Sequence, residues 1–219
     1  MRLSGTLSVI TAALAALAST ATGADTVRAA PLHQSSVGGE LYDINDLRLT
    51  AGFLPKNNDI DGTGNNWSHN YRLALTGMRA PSPLEDVGGF IYGGEVAIDT
   101  AKKNTSFANV SDTRLMVDVM AGWAYRLGNM PQIHFEGTPL FGIGFERYHS
   151  SIGGNSTVFG YEYGLRAAGY YTFENRWQAG LDLRYLVNHS EPDFGSAGGG
   201  SVKFETKGLA VLFSAGKRF

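Results

Sequence analysis

The sequence predicts an all-β chain: an eight-stranded antiparallel up-and-down transmembrane β-barrel. Three observations predict it. Eight segments alternate apolar and polar residues with period 2, which gives each strand two unlike faces. The polar faces carry charges of both signs, which a narrow eight-stranded interior can pack and pair. The connections alternate between long and short, as they do where one barrel mouth carries loops and the other tight turns.

Met1 to about Ala24 has a basic start at Arg2, an apolar stretch from Leu7 to Ala18 and then small residues, with cleavage sites between Ala21 and Ala24. This is the pattern of a secretory signal peptide, too short for a spanning helix. Residues 25–40, with Pro31 and the stretch Ser35-Ser36-Val37-Gly38-Gly39, read as a flexible lead-in. The barrel domain then occupies 41–219.

In the first segment, 45–54, Leu47, Leu49, Ala51 and Phe53 oppose Arg48 and Thr50. The second, 67–78, sets Tyr71, Leu73 and Leu75 against Arg72 and Thr76. The third, 88–99, sets Phe90, Tyr92, Val96 and Ile98 against Glu95 and Asp99. The fourth, 113–127, runs from Leu115 to Tyr125 on one face and carries Arg114, Asp118 and Gly122 on the other. In the fifth, 132–147, Ile133, Phe135, Phe141, Ile143 and Phe145 oppose His134, Glu136 and Glu146. Its Pro139 cannot donate to a ladder, so a bulge or kink is expected there. The sixth, 158–171, places Phe159, Tyr161, Tyr163, Leu165 and Tyr171 opposite Glu162, Gly164 and Arg166. The seventh, 176–187, places Trp177, Leu181, Leu183 and Tyr185 opposite Gln178, Asp182 and Arg184. The last, Gly208 to Phe219, alternates Leu209, Val211, Phe213 and Ala215 with small residues and ends on an aromatic.

A soluble barrel of the lipocalin kind shows the same alternation with its faces exchanged. Three features favour the membrane. The mixed-sign set of Arg48, Arg72, Arg114, Arg166 and Arg184 with Glu95, Asp99, Asp118, Glu136, Glu146, Glu162 and Asp182 suits a salt-bridged lumen. Long connections are expected at 55–66, 100–112, 148–157 and 188–205, and short ones at 79–87, 128–131 and 172–175. Aromatics gather at two heights: Trp123, Tyr125, Tyr171, Trp177 and Phe219 at one end; Phe53, Trp67, Phe145, Tyr148, Phe159 and Tyr185 at the other.

Composition agrees. The mean hydropathy of −0.12 suits strands with one lumen-facing side. The 29 glycines disfavour helix, and the absence of cysteine excludes a disulfide scaffold. A net charge of −2 leaves no basic field for nucleic acid.

Signal peptide, strand rhythm and terminal Phe219 together resemble the small eight-stranded outer-membrane barrels of Gram-negative bacteria, of the opacity-protein type. The resemblance implies outer-membrane lipid as solvent, and recognition of Phe219 by the barrel-assembly machinery. No cofactor or metal is expected from the residues themselves.

On this scaffold the expected function is non-enzymatic: polar outer loops for surface interaction, with a possible extracellular ligand, or for envelope integrity. A narrow solute pore is the alternative, supported by the inner glycines Gly93, Gly122, Gly142, Gly144 and Gly164. The third reading rests on His149, Ser151 and Glu162, whose order resembles the His-x-Ser pair and later Glu of lipid A deacylases. Ile152, where that pattern has Asn, departs from it. His189-Ser190-Glu191 are adjacent and do not converge. Asp59-Ile60-Asp61-Gly62 lacks the closing Glu of a calcium loop, and Gly198-Gly199-Gly200 lacks the Lys of a phosphate loop. His33, His69 and His134 lack metal-ligand spacing.

Overall fold

The structure is a computed structural model that describes residues 44–54, 57–60, 63–66, 68–84, 88–104, 109–151, 154–192 and 203–219. The expected signal peptide and lead-in lie outside these residues, as do Asp61, Gly62 and Gly198–Gly200.

Ten strands form one antiparallel sheet: β1 (Asn45–Phe53), β2 (Asn57–Ile60), β3 (Thr63–Asn66), β4 (Ser68–Arg79), β5 (Gly89–Asn104), β6 (Asn109–Leu127), β7 (Met130–Ser150), β8 (Gly154–Thr172), β9 (Trp177–Ser190) and β10 (Phe204–Arg218). The order β1-β4-β5-β6-β7-β8-β9-β10 closes on itself through β1 and β10, from Asp46↔Arg218 to Phe53↔Val211. Closure leaves this barrel without a free edge over that stretch. Beyond it, the hairpin β2–β3 continues the wall where β1 ends, pairing Asn57–Ile60 with Phe204–Lys207.

The two faces are those the period predicts. Leu49, Leu73, Val119, Phe141, Leu165 and Phe213 stand exposed on the outer wall. On β7 the exposed apolar run extends from Phe135 to Phe145. Ten steps of about 3.3 Å, tilted by about 40°, give a belt roughly 25 Å tall, the thickness a membrane barrel requires. Aromatic rings border it: Trp123, Tyr125, Tyr171 and Trp177 at the end where β1 starts and β10 finishes, Phe53, Phe145 and Phe159 at the other.

Three local expectations are corrected. Tyr148 does not join the outer aromatics; it is buried inside, on the same face of β7 as Glu146. Pro139 causes no register shift: the β7–β8 ladder runs straight through it, and the β6 ladder merely lapses at Ala121 and Gly122 before resuming in register. The connections expected at 100–112 and 148–157 are largely strand, because the ladder holds outside the belt, through Asn104↔Asn109 and Ser150↔Gly154. The nine residues 80–88 after β4 therefore form a longer connection than 105–108 or 151–153.

Inside, Met78, Ile91, Met120, Leu140 and Leu212, contributed by strands from around the barrel, belong to one buried apolar cluster, and Leu84 from the connection after β4 joins them. Much of the remainder is charged or polar.

Candidate functional site

Side chains on alternate positions of eight inward-leaning strands must meet near the axis, and arginine is long enough to cross it. Four arginines do. In barrel order β1 faces β7, β4 faces β8, β5 faces β9 and β6 faces β10.

Arg48 of β1 donates two parallel hydrogen bonds to Glu136 of β7, Nη2 to Oε1 at 2.6 Å and Nη1 to Oε2 at 2.9 Å. Arg72 of β4 reaches Glu162 of β8 at 2.7 Å. Arg184 of β9 grips Glu95 of β5 through both oxygens, at 2.5 and 2.8 Å. Arg114 of β6 donates to Thr206 Oγ1 of β10 at 3.4 Å. Every wall strand thus takes part in a link across the diameter. Bidentate arginine–carboxylate pairs are directional as well as strong, so the Arg48–Glu136 and Arg184–Glu95 links fix distance and angle together.

The links are stacked in tiers. Nearest the end where β1 starts and β10 finishes, Arg218 pairs with Asp46 through Nε and Nη2 at 2.7 and 2.9 Å, and Asp46 also contacts Arg48. Gln178 donates to Asp46 at 3.0 Å and accepts from Arg48 at 3.1 Å. The Arg48 guanidinium lies 3.8 Å from the Tyr170 ring centroid, and His134 stacks on that ring from 5.2 Å. Arg166 joins this tier to the next, donating to Glu136 at 2.9 Å and to Asp182 at 2.8 Å. In the middle tier the Arg72 guanidinium serves four carboxylates: Asp118 at 2.6 Å, Glu162 at 2.7 Å, Glu95 at 3.2 Å and Asp99 at 3.4 Å. In the upper tier Arg114 lies 2.5 Å from Glu146 and 3.1 Å from Asp112, and Tyr148 and Ser190 both donate to Glu146, at 2.5 and 2.8 Å.

All twelve charged residues singled out in the sequence are buried here. Sequence reasoning missed Asp46, Asp112, Arg126, Tyr148, Tyr170, Ser190 and Arg218, which are buried with them. Period-2 counting carried one step past Gly216 reaches Arg218; nothing comparable marks Tyr170 as a ring beneath a guanidinium.

At the inner glycines there is little room for a side chain. A Cβ on Gly93 would stand 2.1 Å from the Gly77 oxygen, and one on Gly144 2.0 Å from the Leu115 oxygen. These positions are glycine because neighbouring backbone occupies the space. A cavity of about 10 Å³ lies among Leu54, Arg114, Glu162, Leu186, Asn188 and Thr206, room for about one water.

His149, Ser151 and Glu162 do not form a site. His149 is exposed on the outer wall with its Nδ1 2.5 Å from Asn155 Oδ1, and Ser151 Oγ accepts from the Asn109 backbone N–H at 3.1 Å. Glu162 is buried in the lumen opposite Gly142, seven residues down the strand from His149, roughly 23 Å at about 3.3 Å per residue. His189 lies on the outer wall, stacked on Tyr161 and Tyr163, while Ser190 points inward. Asp46, His134 and Glu136 do come together, with ligand atoms within 4.8 Å of one another. The guanidiniums of Arg48 and Arg218 already fill that centre, so the carboxylates are neutralised without an ion.

Tyr148→Phe is expected to lower the stability of the lipid-embedded barrel by about 2 kcal/mol, the value of a hydrogen bond to a charged acceptor. The urea unfolding midpoint measures it, with Tyr161→Phe on the outer wall as an unchanged control.

The architecture is that of the small eight-stranded outer-membrane type of β-barrel: closed, belted with apolar residues and packed within. No protein-family model and no curated protein matches the chain. Among solved structures it is similar to Ail, the attachment invasion locus protein of Yersinia pestis, with 16% identity over 80% of this chain and 99% of that one, at a TM-score of 0.36. Neisserial surface protein A gives 10% identity over 80% and 96%, at 0.44. The outer membrane protein OprG from Pseudomonas aeruginosa gives 13% over 84% and 99%, at 0.40.

Proposed function

We propose that this protein is a non-enzymatic outer-membrane barrel whose lumen is sealed and whose work is done on its outer surface, in surface interaction or in maintaining the envelope. The diametral arginine links carry this reading. They occupy the axis in three successive tiers, so a solute has to break several buried ion pairs to pass. The narrow-pore alternative drew on the inner glycines, whose space is taken by neighbouring backbone or, at Gly142, by the Asp118 side chain.

The lipid-facing belt supports a place in the outer membrane, with the start of β1 and the end of β10 toward the periplasm; the signal peptide would be cleaved before insertion. Phe219 lies at that periplasmic end, its ring exposed and its N–H bonded to the Asn45 carbonyl at 3.0 Å, a position open to assembly machinery. At the other end β5 to β8 rise about five residues beyond the belt as a hydrogen-bonded polar crown, a rigid support for an extracellular ligand.

Planar bilayers holding the refolded barrel are expected to show no unitary conductance steps. Regular steps of a single size would give the lumen to transport and end this reading.

A further inference from the structure

We propose that the lumen holds one resident water, bound by Asn188 between β8 and β10, which couples the Arg72 tier to the Arg114 tier. The site stands whichever work the outer surface does.

Strand register places its polar groups. Glu162 of β8, Asn188 of β9 and Thr206 of β10 are direct neighbours in one inward row, and all three are buried. Glu162 is committed to Arg72 at 2.7 Å, and the Thr206 hydroxyl oxygen accepts from Arg114 at 3.4 Å. Asn188 stands between them and bonds to neither. Its Oδ1 and Nδ2 are both buried without a hydrogen-bond partner among the described residues. An amide left in that state forfeits the bonds it makes in water, which native interiors avoid.

The next inward row explains why there is space. Across the same three strands it reads Gly164, Leu186 and Gly208, so Leu186 has no side chain beside it on either neighbour. The wall also changes hands here. The β1 ladder on β10 ends at Phe53↔Val211, and the β2 ladder begins at Asn57↔Lys207. The cavity of about 10 Å³ opens at this point, with Asn188, Thr206, Glu162, Arg114 and Gly208 among its walls. That is room for about one water, and a buried water makes about three hydrogen bonds. The walls offer that number: the Asn188 amide and the Thr206 hydroxyl donate, and the Glu162 carboxylate accepts.

An ion does not fit the same walls. A cation meets the Arg114 guanidinium and has no use for amide or hydroxyl protons. An anion meets Glu162, while Glu146, 2.5 Å from Arg114, already offsets the guanidinium charge. The walls select a neutral molecule that both donates and accepts, and the volume limits it to water. Arg166 joins the two lower tiers by direct bonds; the water does the same for the two upper ones.

The test is water-selective NMR on the refolded, nitrogen-labelled protein in micelles. The side-chain amide protons of Asn188 are expected to show a cross-peak to water with the sign of a long-lived contact. Gln178 is the comparison. It is also buried, but its Nε2 donates to Asp46 at 3.0 Å and to Thr172 at 3.1 Å, so no cross-peak is expected there. Thr206→Val removes a hydroxyl whose proton exchange imitates bound water. The Asn188 cross-peak is expected to survive that change, because the amide and Glu162 still hold the water. Exchanging sodium chloride for ammonium sulfate is expected to leave it unaltered. Absence of the Asn188 cross-peak means a dry cavity and overturns the proposal. Its loss in Thr206→Val assigns the signal to the hydroxyl, and its loss on salt exchange assigns the site to an ion; each overturns it too. An equal cross-peak at Gln178 means a generally wet lumen and no distinct site.

Discussion

Arg72→Met is expected to lower the stability of the folded barrel by about 3–5 kcal/mol, the cost of removing one partner from a buried charge cluster. The reason is local. Asp118 and Glu162 lie 2.6 and 2.7 Å from the same Nη2. Without the guanidinium they face each other as two buried like charges. Glu95 suffers less, since Arg184 still holds it through both oxygens. A second change, Glu162→Gln, should recover part of the loss by removing one of the stranded charges. Urea unfolding from lipid vesicles, followed by the mobility of unheated samples on gels, measures both variants. A single variant with the wild-type midpoint would mean that the middle tier is hydrated and its ion pairs contribute little. Lys at this position is not expected to substitute fully, because a point charge cannot address four carboxylates in a plane-and-fork geometry.

The outline of the barrel was legible because lipid and lumen impose opposite chemistry on alternate residues. Leu49 and Leu73 beside Arg48 and Arg72 announce two faces without any knowledge of topology. Parity also contained the placement of Tyr148, which follows Glu146 by two; height along the strand outweighed it in the sequence reading. Where both faces are polar, hydropathy stops alternating, and the strand ends become invisible. Ser111-Asp112-Thr113 is such a stretch, and it is ladder all the same. The diametral partners were not legible at all. Which carboxylate Arg48 meets depends on how the sheet closes, and closure is set by the register of Asp46 with Arg218, residues 172 apart in sequence. The cluster of Asp46, His134 and Glu136 escaped for the same reason: it joins β1 to β7 across the axis, beyond any spacing rule.

Phe213→Arg is expected to cost about 2–4 kcal/mol, the penalty for a cation near the midplane of a lipid-facing wall. Phe213 is 70% exposed, the most exposed large apolar side chain among the described residues. It lies between the wall residues Ala51 and Leu181 of the adjoining strands, midway along the run from Leu209 to the terminus. Were the outer wall in water, replacing so exposed a ring would change stability by no more than about 0.5 kcal/mol and would improve solubility. The two solvents therefore predict different magnitudes for one substitution that disturbs no packing inside the barrel. Lys217→Arg, two positions from the chain end beside Phe219, keeps its charge within reach of the interface and serves as the neutral comparison. Unfolding from vesicles decides between them. A cost below about 0.5 kcal/mol for Phe213→Arg would exchange the two faces of the barrel and make the charged interior that of a soluble protein. A cost in the expected range identifies lipid as the solvent of the wall, and the buried arginines as the means by which a barrel this narrow fills its own axis.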